Sequence, residues 1–124
     1  MQKICLMLGA LNALLAVLLG AFGAHGLKTH LSSEMLAIYH TGIEYHMWHA
    51  LGLILVGLLS MQLPANTLLA WAAGLMLAGM LLFSGSLYVL SITGVRWLGA
   101  ITPFGGIAFI IAWALVTIAA LRTS

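Results

Sequence analysis

The amino-acid sequence predicts an all-α integral membrane protein, a bundle of four transmembrane helices, from three observations. Of its 124 residues, 64% are hydrophobic and 5% are charged, whereas a soluble domain carries about 25% charged residues. No charged residue lies between Glu44 and Arg96. A spanning helix needs roughly 20 residues, so four helices with short loops use up the chain. We expect one transmembrane domain over residues 1–124, with spans at roughly 4–24, 42–61, 68–90 and 103–121.

The sparse charge and the lack of catalytic motifs exclude several classes of function. Four Lys and Arg residues stand against two Asp and Glu residues. They form no clustered basic face, so we expect no nucleic-acid partner. The single cysteine, Cys5, cannot form an intramolecular disulfide. The sequence shows no nucleophile beside a base, no phosphate-binding loop and no pair of carboxylates. We therefore expect neither enzymatic activity nor a cofactor.

Small residues recur at every fourth position on the first and third predicted helices. This spacing lets two membrane helices approach closely, and so small a bundle cannot enclose much of a pore alone. Besides the lipid bilayer, we therefore expect a second copy of the chain or a membrane-protein partner. The two stripes are Ala16, Gly20 and Ala24 on the first helix, and Ala70, Gly74 and Ala78 on the third.

Single polar residues mark two further features of the spans. Asn12 lies mid-span in the first helix and is expected to hydrogen-bond to a neighbouring helix. Thr102 as N-cap and Pro103 at the first helical position predict a clean start for the fourth helix.

The second helix must begin inside a polar stretch. The only strong helix-breaking signal in the apolar run that follows is a Pro-Ala-Asn turn, so the span ends near residue 61 and begins near Gly42. Glu44, His46 and His49 then lie at or inside the hydrocarbon edge, where ionisable groups need a partner, a cavity or a function. Residues 34–41 are expected to form a short interfacial helical segment before this span.

Most polar residues lie at one end of the predicted bundle. With four spans both termini lie on one side of the membrane, and the candidate binding residues are expected on the other side. Membrane orientation stays undecided, because Lys3 and Arg122 balance Lys28 and Arg96 in the positive-inside count. The candidate binding residues of the polar end are His25, Glu44, Tyr45, His49, Ser84, Ser86, Tyr88, Arg96 and Thr102.

Glu44 is expected to pair with Arg96, the one permanently charged group on the facing loop, with His25 as the alternative partner. An unpaired carboxylate in a low dielectric would take up a proton instead. The pair is either a structural ion pair that holds the loop to the second helix or a protonatable site that gates an ion or small solute.

His46 and His49 are weak candidates for metal ligands. They project about 60° apart at 100° per residue, so they could form half of a transition-metal site. The spacing lacks the glutamate of known helical metal motifs. The alternative is a pair of histidines hydrogen-bonded to loop backbone or to Tyr88. A haem would need a second histidine from another span, which only His25 or His30 could supply.

Two small polar segments, residues 84–86 (SGS) and 102–106 (TPFGG), are expected to face each other. Free backbone N–H groups at the start of the fourth helix could bind an anion or a lipid phosphate. The alternative is close packing with the hydroxyl groups bonded to helix backbone.

Four motifs in order resemble the YgdD/YwdK family, small four-helix inner-membrane proteins of bacteria grouped as a domain of unknown function. They are residues 20–25 (GAFGAH), 41–45 (TGIEY) with His49 one turn on, 82–88 (LFSGSLY) and 102–106 (TPFGG). The resemblance implies a four-span fold in the bacterial inner (plasma) membrane. It implies no activity.

These observations predict a small membrane protein that binds a ligand, a lipid or a partner at a polar pocket around His25, Glu44, His49 and Arg96. Glu44 would be its charged or protonatable anchor. Two alternatives stay open at this point. One is small-solute or proton-coupled transport with Glu44 as the titrating group, and the other is a structural or accessory subunit of a membrane complex.

Overall fold

The computed structural model describes residues 1–122 and is helical throughout. Helix α1 continues into a π-helical turn, α3 and α4 are joined by a second π-helical turn, and a 3₁₀ helix precedes α5. The elements are α1 Gln2–Phe22, π turn Gly23–Leu27, α2 Ser33–Gln62, α3 Thr67–Gly79, π turn Met80–Ser84, α4 Gly85–Thr93, 3₁₀ helix Arg96–Ala100 and α5 Thr102–Leu121.

Four of the resulting helices are long and apolar enough to cross a membrane, which confirms the predicted fold class. They run over Gln2–Leu27, Ser33–Gln62, Thr67–Thr93 and Arg96–Leu121, called here the first to fourth spans. Each of the predicted spans lies inside one of these helices. The depth at which the bilayer cuts each helix stays a prediction.

The segment predicted to precede the second span is the beginning of α2 itself. Helix α2 has 30 residues and is about 45 Å long, with no break at Gly42. The Ser32 hydroxyl caps it, accepting a hydrogen bond from the Met35 N–H at 3.2 Å. Gly42 stays helical because it packs closely on the third span, where a Cβ at this position would lie 2.9 Å from the Tyr88 ring.

Helix α2 is the centre of the bundle. Helix α1 packs along it, the third span packs on its other side, and α5 packs against α3. Helix α2 is the most buried of the four spans and the first span is the least buried. Ala50, Leu53 and Val56 of α2 therefore form the middle of the apolar core, against Met76 of α3 and Ala112 of α5.

Small residues bring α1 close to α2, at some but not all of the predicted positions. Gly9, Ala16 and Gly23 are buried and recur every seven residues, the spacing of a supercoiled helix pair. A Cβ at Gly9 would lie 2.9 Å from the Ala50 carbonyl oxygen. Ala24, expected in the four-residue stripe, is exposed. The predicted stripe is therefore correct at Ala16 and Gly20, which faces Ile43 of α2, and wrong at Ala24, because a long helix pair follows a seven-residue repeat.

The stripe predicted on the third helix faces away from the bundle. Ala70, Gly74 and Ala78 are all exposed, and no described atom lies within 4 Å of a Cβ built at Gly74. With Trp71 and Leu75 they line a shallow groove of about 450 Å³. The stripe therefore adds nothing to packing inside one chain.

The start of α5 is as predicted, but Thr102 is not its N-cap. Ile101 occupies the cap position and Pro103 lies in the first turn. The Thr102 hydroxyl instead lies 2.6 Å from the Ser86 hydroxyl of α4. The 3₁₀ helix that runs directly into α5 leaves Thr102 inside the first turn, where its side chain turns towards the third span.

Candidate functional site

The polar pocket predicted around His25, Glu44, His49 and Arg96 does not form. His25 is exposed on the π turn after α1, and Glu44 is exposed on the outer face of α2. His49 is 4% exposed and faces the interior. At 100° per residue, Glu44 projects about 140° away from His49. A straight helix therefore cannot direct both side chains into one pocket.

Arg96 pairs with Glu34, so the predicted Glu44–Arg96 pair is wrong. The Arg96 Nη1 lies 3.1 Å from the Glu34 Oε1, and both side chains are exposed. Glu34 is ten residues before Glu44, a separation of about 15 Å along α2. Arg96 therefore contacts the first turn of α2, about 15 Å along the helix axis from Glu44.

Replacing Arg96 with alanine is expected to leave the melting temperature of the detergent-solubilised protein unchanged within error. Water and salt screen an exposed ion pair, and its net contribution to stability is small. Thermal unfolding followed by circular dichroism tests this, with Arg122→Ala as the control at the opposite end. A clear drop confined to the Arg96 variant would contradict it.

His46 lies at the centre of a hydrogen-bonded chain that crosses three helices. Its Nδ1 is 2.9 Å from the Tyr88 hydroxyl of α4, and its Nε2 is 3.0 Å from the Asn12 Oδ1 of α1. The Asn12 amide nitrogen donates to the Leu8 carbonyl oxygen at 2.8 Å. The predicted contacts of Asn12 with another helix and of a histidine with Tyr88 are confirmed.

The direction of each hydrogen bond in this chain follows from the chemistry of its groups. A carbonyl only accepts, so the Asn12 nitrogen faces Leu8 and the Asn12 oxygen faces His46. The His46 Nε2 must then carry a proton and donate to Asn12. In neutral His46 the Nδ1 is the acceptor, and the Tyr88 hydroxyl donates to it.

One hydrogen-bond acceptor and one hydrogen-bond donor hold the His49 ring. Its Nδ1 lies 2.7 Å from the Tyr45 carbonyl oxygen, and the Trp113 Nε1–H donates to its Nε2 at 3.0 Å. Because indole only donates and a carbonyl only accepts, these bonds require neutral His49 with the proton on Nδ1. The imidazole ring stacks on Phe109 at a centroid distance of 3.5 Å. His49 is therefore fixed in position, tautomer and charge.

The side chains of His46 and His49 face different helices and do not form half of a metal site. His46 faces α1 and α4, whereas His49 faces α5, and all four ring nitrogens take part in hydrogen bonds. Over residues 1–122 no group of three His, Cys, Asp or Glu side chains gathers closely enough to hold a metal ion. A shared ion would require both rings to leave their present partners.

An aromatic groove opens between α2 and α5 on the side where His49 is held. Its volume is about 390 Å³, and Trp48 on its α2 rim is 53% exposed. The Trp113 N–H bonds to the His49 Nε2 and the His49 Nδ1 bonds to the Tyr45 carbonyl oxygen, so His49 and Trp113 present ring faces and edges to the groove. The lining residues are Tyr45, Trp48, His49, Phe83, Gly106, Phe109, Ile110 and Trp113.

A smaller and more polar pocket lies beside His46. It has a volume of about 210 Å³ and opens between α1 and the third span. Its floor is the hydrogen-bonded chain, and its walls are apolar. The lining residues are Asn12, His46, Leu77, Met80, Leu81, Gly85 and Tyr88.

The serines of the third span bond to backbone, as the close-packing alternative predicted. The Ser84 hydroxyl donates to the Gly42 carbonyl oxygen of α2 at 2.8 Å. The Ser86 hydroxyl donates to the Phe83 carbonyl oxygen at 2.9 Å. The π turn Met80–Ser84 helps to aim these groups, since an extra residue per turn rotates the helix face locally. These residues hold the helices together around the site.

Sequence reasoning missed the contribution of α5. Trp113 and Phe109 hold His49, and Phe83 adds a ring 4.4 Å from that of Tyr45. One signal was present, because Trp113 lies mid-span in α5, whereas membrane tryptophans favour the interfaces. A mid-span indole N–H needs a hydrogen-bond acceptor, and His49 is that acceptor.

The four apolar helices, with two buried histidines on the second, define a small multi-pass membrane protein. The chain belongs to the DUF423 family, described as protein of unknown function, which matches residues 19–106. It is 53% identical to the UPF0382 membrane protein YwdK of Bacillus subtilis over 121 residues, 98% of each chain. No solved structure matches the chain.

Staphylococcal proteins are similar over nearly the same length. A UPF0382 membrane protein of Staphylococcus epidermidis is 49% identical over 98% of each chain. One of Staphylococcus saprophyticus is 44% identical over 94% of this chain and 96% of its own. The predicted family resemblance is therefore confirmed, and the four motifs that carried it all lie within the matched range.

Proposed function

We propose that this protein binds a membrane amphiphile with a protonated amine head group, placing the apolar part in the aromatic groove and the head group at Glu44. The observation that carries the proposal is the groove itself, an apolar cleft of about 390 Å³ between α2 and α5. Its rings are held in place by hydrogen bonds and stacking before any ligand arrives. The proposed role is binding without catalysis.

The lining of the groove selects for an apolar chain or ring. The Trp113 N–H and both His49 nitrogens are already bonded within the protein, whereas the Tyr45 hydroxyl of the lining has no hydrogen-bond partner among residues 1–122. At about 30 Å³ for a water-sized group, the groove has room for about thirteen such groups. A preformed site of this kind binds with little loss of side-chain freedom.

Glu44 supports an amine as the head group. It lies 18 residues before Gln62, about 27 Å along the helix, close to the edge of an apolar layer about 30 Å thick. It is exposed one turn before Trp48, and no side chain among residues 1–122 pairs with it. A carboxylate without a partner is costly at this depth, and an ammonium group would lower that cost.

Wild-type protein in nanodiscs is expected to bind a bromoalkylamine about tenfold or more tightly than the bromoalkanol of the same chain length. A hydrogen bond to a charged group exceeds a neutral one by enough to give this ratio. Binding is measured by bromine quenching of tryptophan fluorescence. Glu44→Gln should remove the preference and keep chain binding. Glu34→Gln makes the same change at a carboxylate away from the groove and should behave as wild type.

A second pair of variants tests the groove. Gly106 lines it and Gly74 faces open space elsewhere, so Gly106→Leu should abolish binding of both probes and Gly74→Leu should not. Equal affinity for amine and alcohol in wild type, or a preference that survives in Glu44→Gln, would overturn the proposed head-group site. Unchanged binding in Gly106→Leu would overturn the groove.

Family membership supports placing the protein in the bacterial inner membrane, since its relatives are bacterial proteins named as membrane proteins. Self-association or a membrane-protein partner is compatible with the outward stripe of α3. Transport with Glu44 as the titrating group gains no support, because Glu44 lines neither of the two pockets beside the histidines.

A further inference from the structure

The pocket beside His46 differs from the aromatic groove in one respect. His46, on the floor of the pocket, can take up a proton and keep both of its hydrogen bonds. His46 is 6% exposed, and its ring bridges the Tyr88 hydroxyl and the Asn12 carbonyl oxygen. A second proton on Nδ1 would donate to the Tyr88 oxygen, while Nε2–H would still donate to Asn12. His49 lacks this freedom, because its Nε2 faces the Trp113 N–H.

Protonation of His46 would change what the pocket offers to a ligand. In the neutral state the Tyr88 hydrogen is used in the bond to His46. Once His46 donates instead, the Tyr88 hydroxyl is released as a donor, and Gly85 beside it leaves open space. Asn12 has a second amide hydrogen besides the one given to Leu8. The protonated site therefore offers two donors and one positive charge.

No acidic group of the described chain faces His46 to balance that charge. From α1 it meets Asn12, and from α4 it meets Tyr88, whose ring lies 5.4 Å from that of Tyr39. Glu44, two residues earlier, projects to the outer face. An imidazolium alone in this setting is costly, as is an anion alone. The two together are electrically neutral.

We propose that this pocket binds a small monocarboxylate together with one proton, which is held at the His46 Nδ1. When the undissociated acid enters, its O–H bond breaks, the proton forms the new N–H bond at Nδ1, and the oxygen keeps the electron pair. When the anion enters, a buffer acid in the surrounding solution gives its proton to Nδ1 and is left as its conjugate base. In either case the carboxylate accepts hydrogen bonds from the Tyr88 hydroxyl and the Asn12 amide.

The walls limit the acid to a short aliphatic chain. Leu77, Met80 and Leu81 are apolar and lie beside Gly85. The pocket, at about 210 Å³, is about half the size of the aromatic groove, at about 390 Å³, which favours a carboxylate with a few carbons. The inference is independent of the amphiphile site, which lies on the other side of the third span.

The test uses butyrate as the probe and purified full-length protein in nanodiscs at about pH 7.5, where free butyrate is ionised and neutral histidine predominates. Calorimetry in buffers of different ionisation enthalpy counts the protons taken up. We expect about one proton per butyrate bound, by linkage. Butyramide, the neutral analogue, should bind roughly tenfold or more weakly.

Two variants and one spectrum complete the experiment. Gly85→Leu places a branched side chain at the pocket, and its Cβ would meet no described atom within 4 Å. It should abolish binding, whereas Gly74→Leu on the same span should not. Nitrogen NMR of the wild-type imidazoles should show His46 changing to imidazolium on adding butyrate while His49 stays neutral, which requires no variant to fold.

Three outcomes would overturn the proposal. The first is no binding of butyrate by folded wild-type protein. The second is binding without proton uptake or without a change in the His46 spectrum. The third is binding that persists unchanged in Gly85→Leu. None of them bears on the amphiphile proposal, whose binding-site variants, Glu44→Gln and Gly106→Leu, lie on α2 and α5.

Discussion

Gly105→Ala is expected to lower the melting temperature strongly, whereas Gly74→Ala should leave it unchanged or raise it. A Cβ at Gly105 would lie 2.8 Å from the Phe83 Cβ and 2.9 Å from its Cα. The Cα belongs to the backbone of the third span and the Cβ is bonded directly to it, so neither atom can move aside without the helix. Overpacking of this kind costs about 1–3 kcal/mol, occasionally more.

The control makes the same chemical change without the contact. No described atom lies within 4 Å of a Cβ at Gly74, and alanine gains up to about 1 kcal/mol over glycine in a helix. Thermal unfolding of both variants in one detergent, with scattering to detect aggregation, gives the comparison. Equal melting temperatures for the two variants would show that the approach of α5 to the third span is looser than described.

His49→Leu is expected to cause the second largest loss of stability. The size of this loss is expected to depend strongly on the presence of Trp113. The variant removes the acceptor of the Trp113 Nε1–H, and a donor left unpaired away from water costs about 1–3 kcal/mol. It also removes the ring that stacks on Phe109 at 3.5 Å. His40→Leu, on the exposed face of α2, should have little effect and serves as the matched control.

A double-mutant cycle separates the hydrogen bond from the packing. Trp113→Phe removes the donor and keeps an aromatic ring, so His49→Leu with Trp113→Phe leaves no orphaned N–H at this contact. The double variant should lose about 1–2 kcal/mol less than the sum of the two single losses. Chemical denaturation in mixed micelles measures the three free energies of unfolding. Simple additivity would mean that the indole finds another partner.

The sequence predicted the helices and several local contacts because these follow from short-range rules. Inside a bilayer every backbone N–H and C=O must be satisfied within the chain, so a run of apolar residues becomes a helix. A single amide such as Asn12 needs a neighbouring polar group, and His46 is that group. The Ser32 cap and the start of α5 near Pro103 likewise depend on a few adjacent residues.

The direction in which each helix faces could not be predicted in this way. In a soluble helix the apolar stripe marks the inner face, but in lipid both faces are apolar. Glu44 was therefore expected inside the polar pocket and lies outside it. For the same reason the sequence could not show that the small residues of α3 face outward, and their expected role in self-association stays a prediction.

The position of each contact along the helix axes was the second property that only the tertiary structure could give. Arg96 could have met either glutamate of α2, and the 3₁₀ helix places it at Glu34 instead of Glu44. The partner of His49 depended on how far α5 slides along α2, which sets Trp113 opposite it. The sequence alone determined four apolar helices, with polar groups gathered at one end. Only the packed bundle decided which of those groups meet, because rotation and sliding of a lipid-facing helix leave its hydrophobic pattern unchanged.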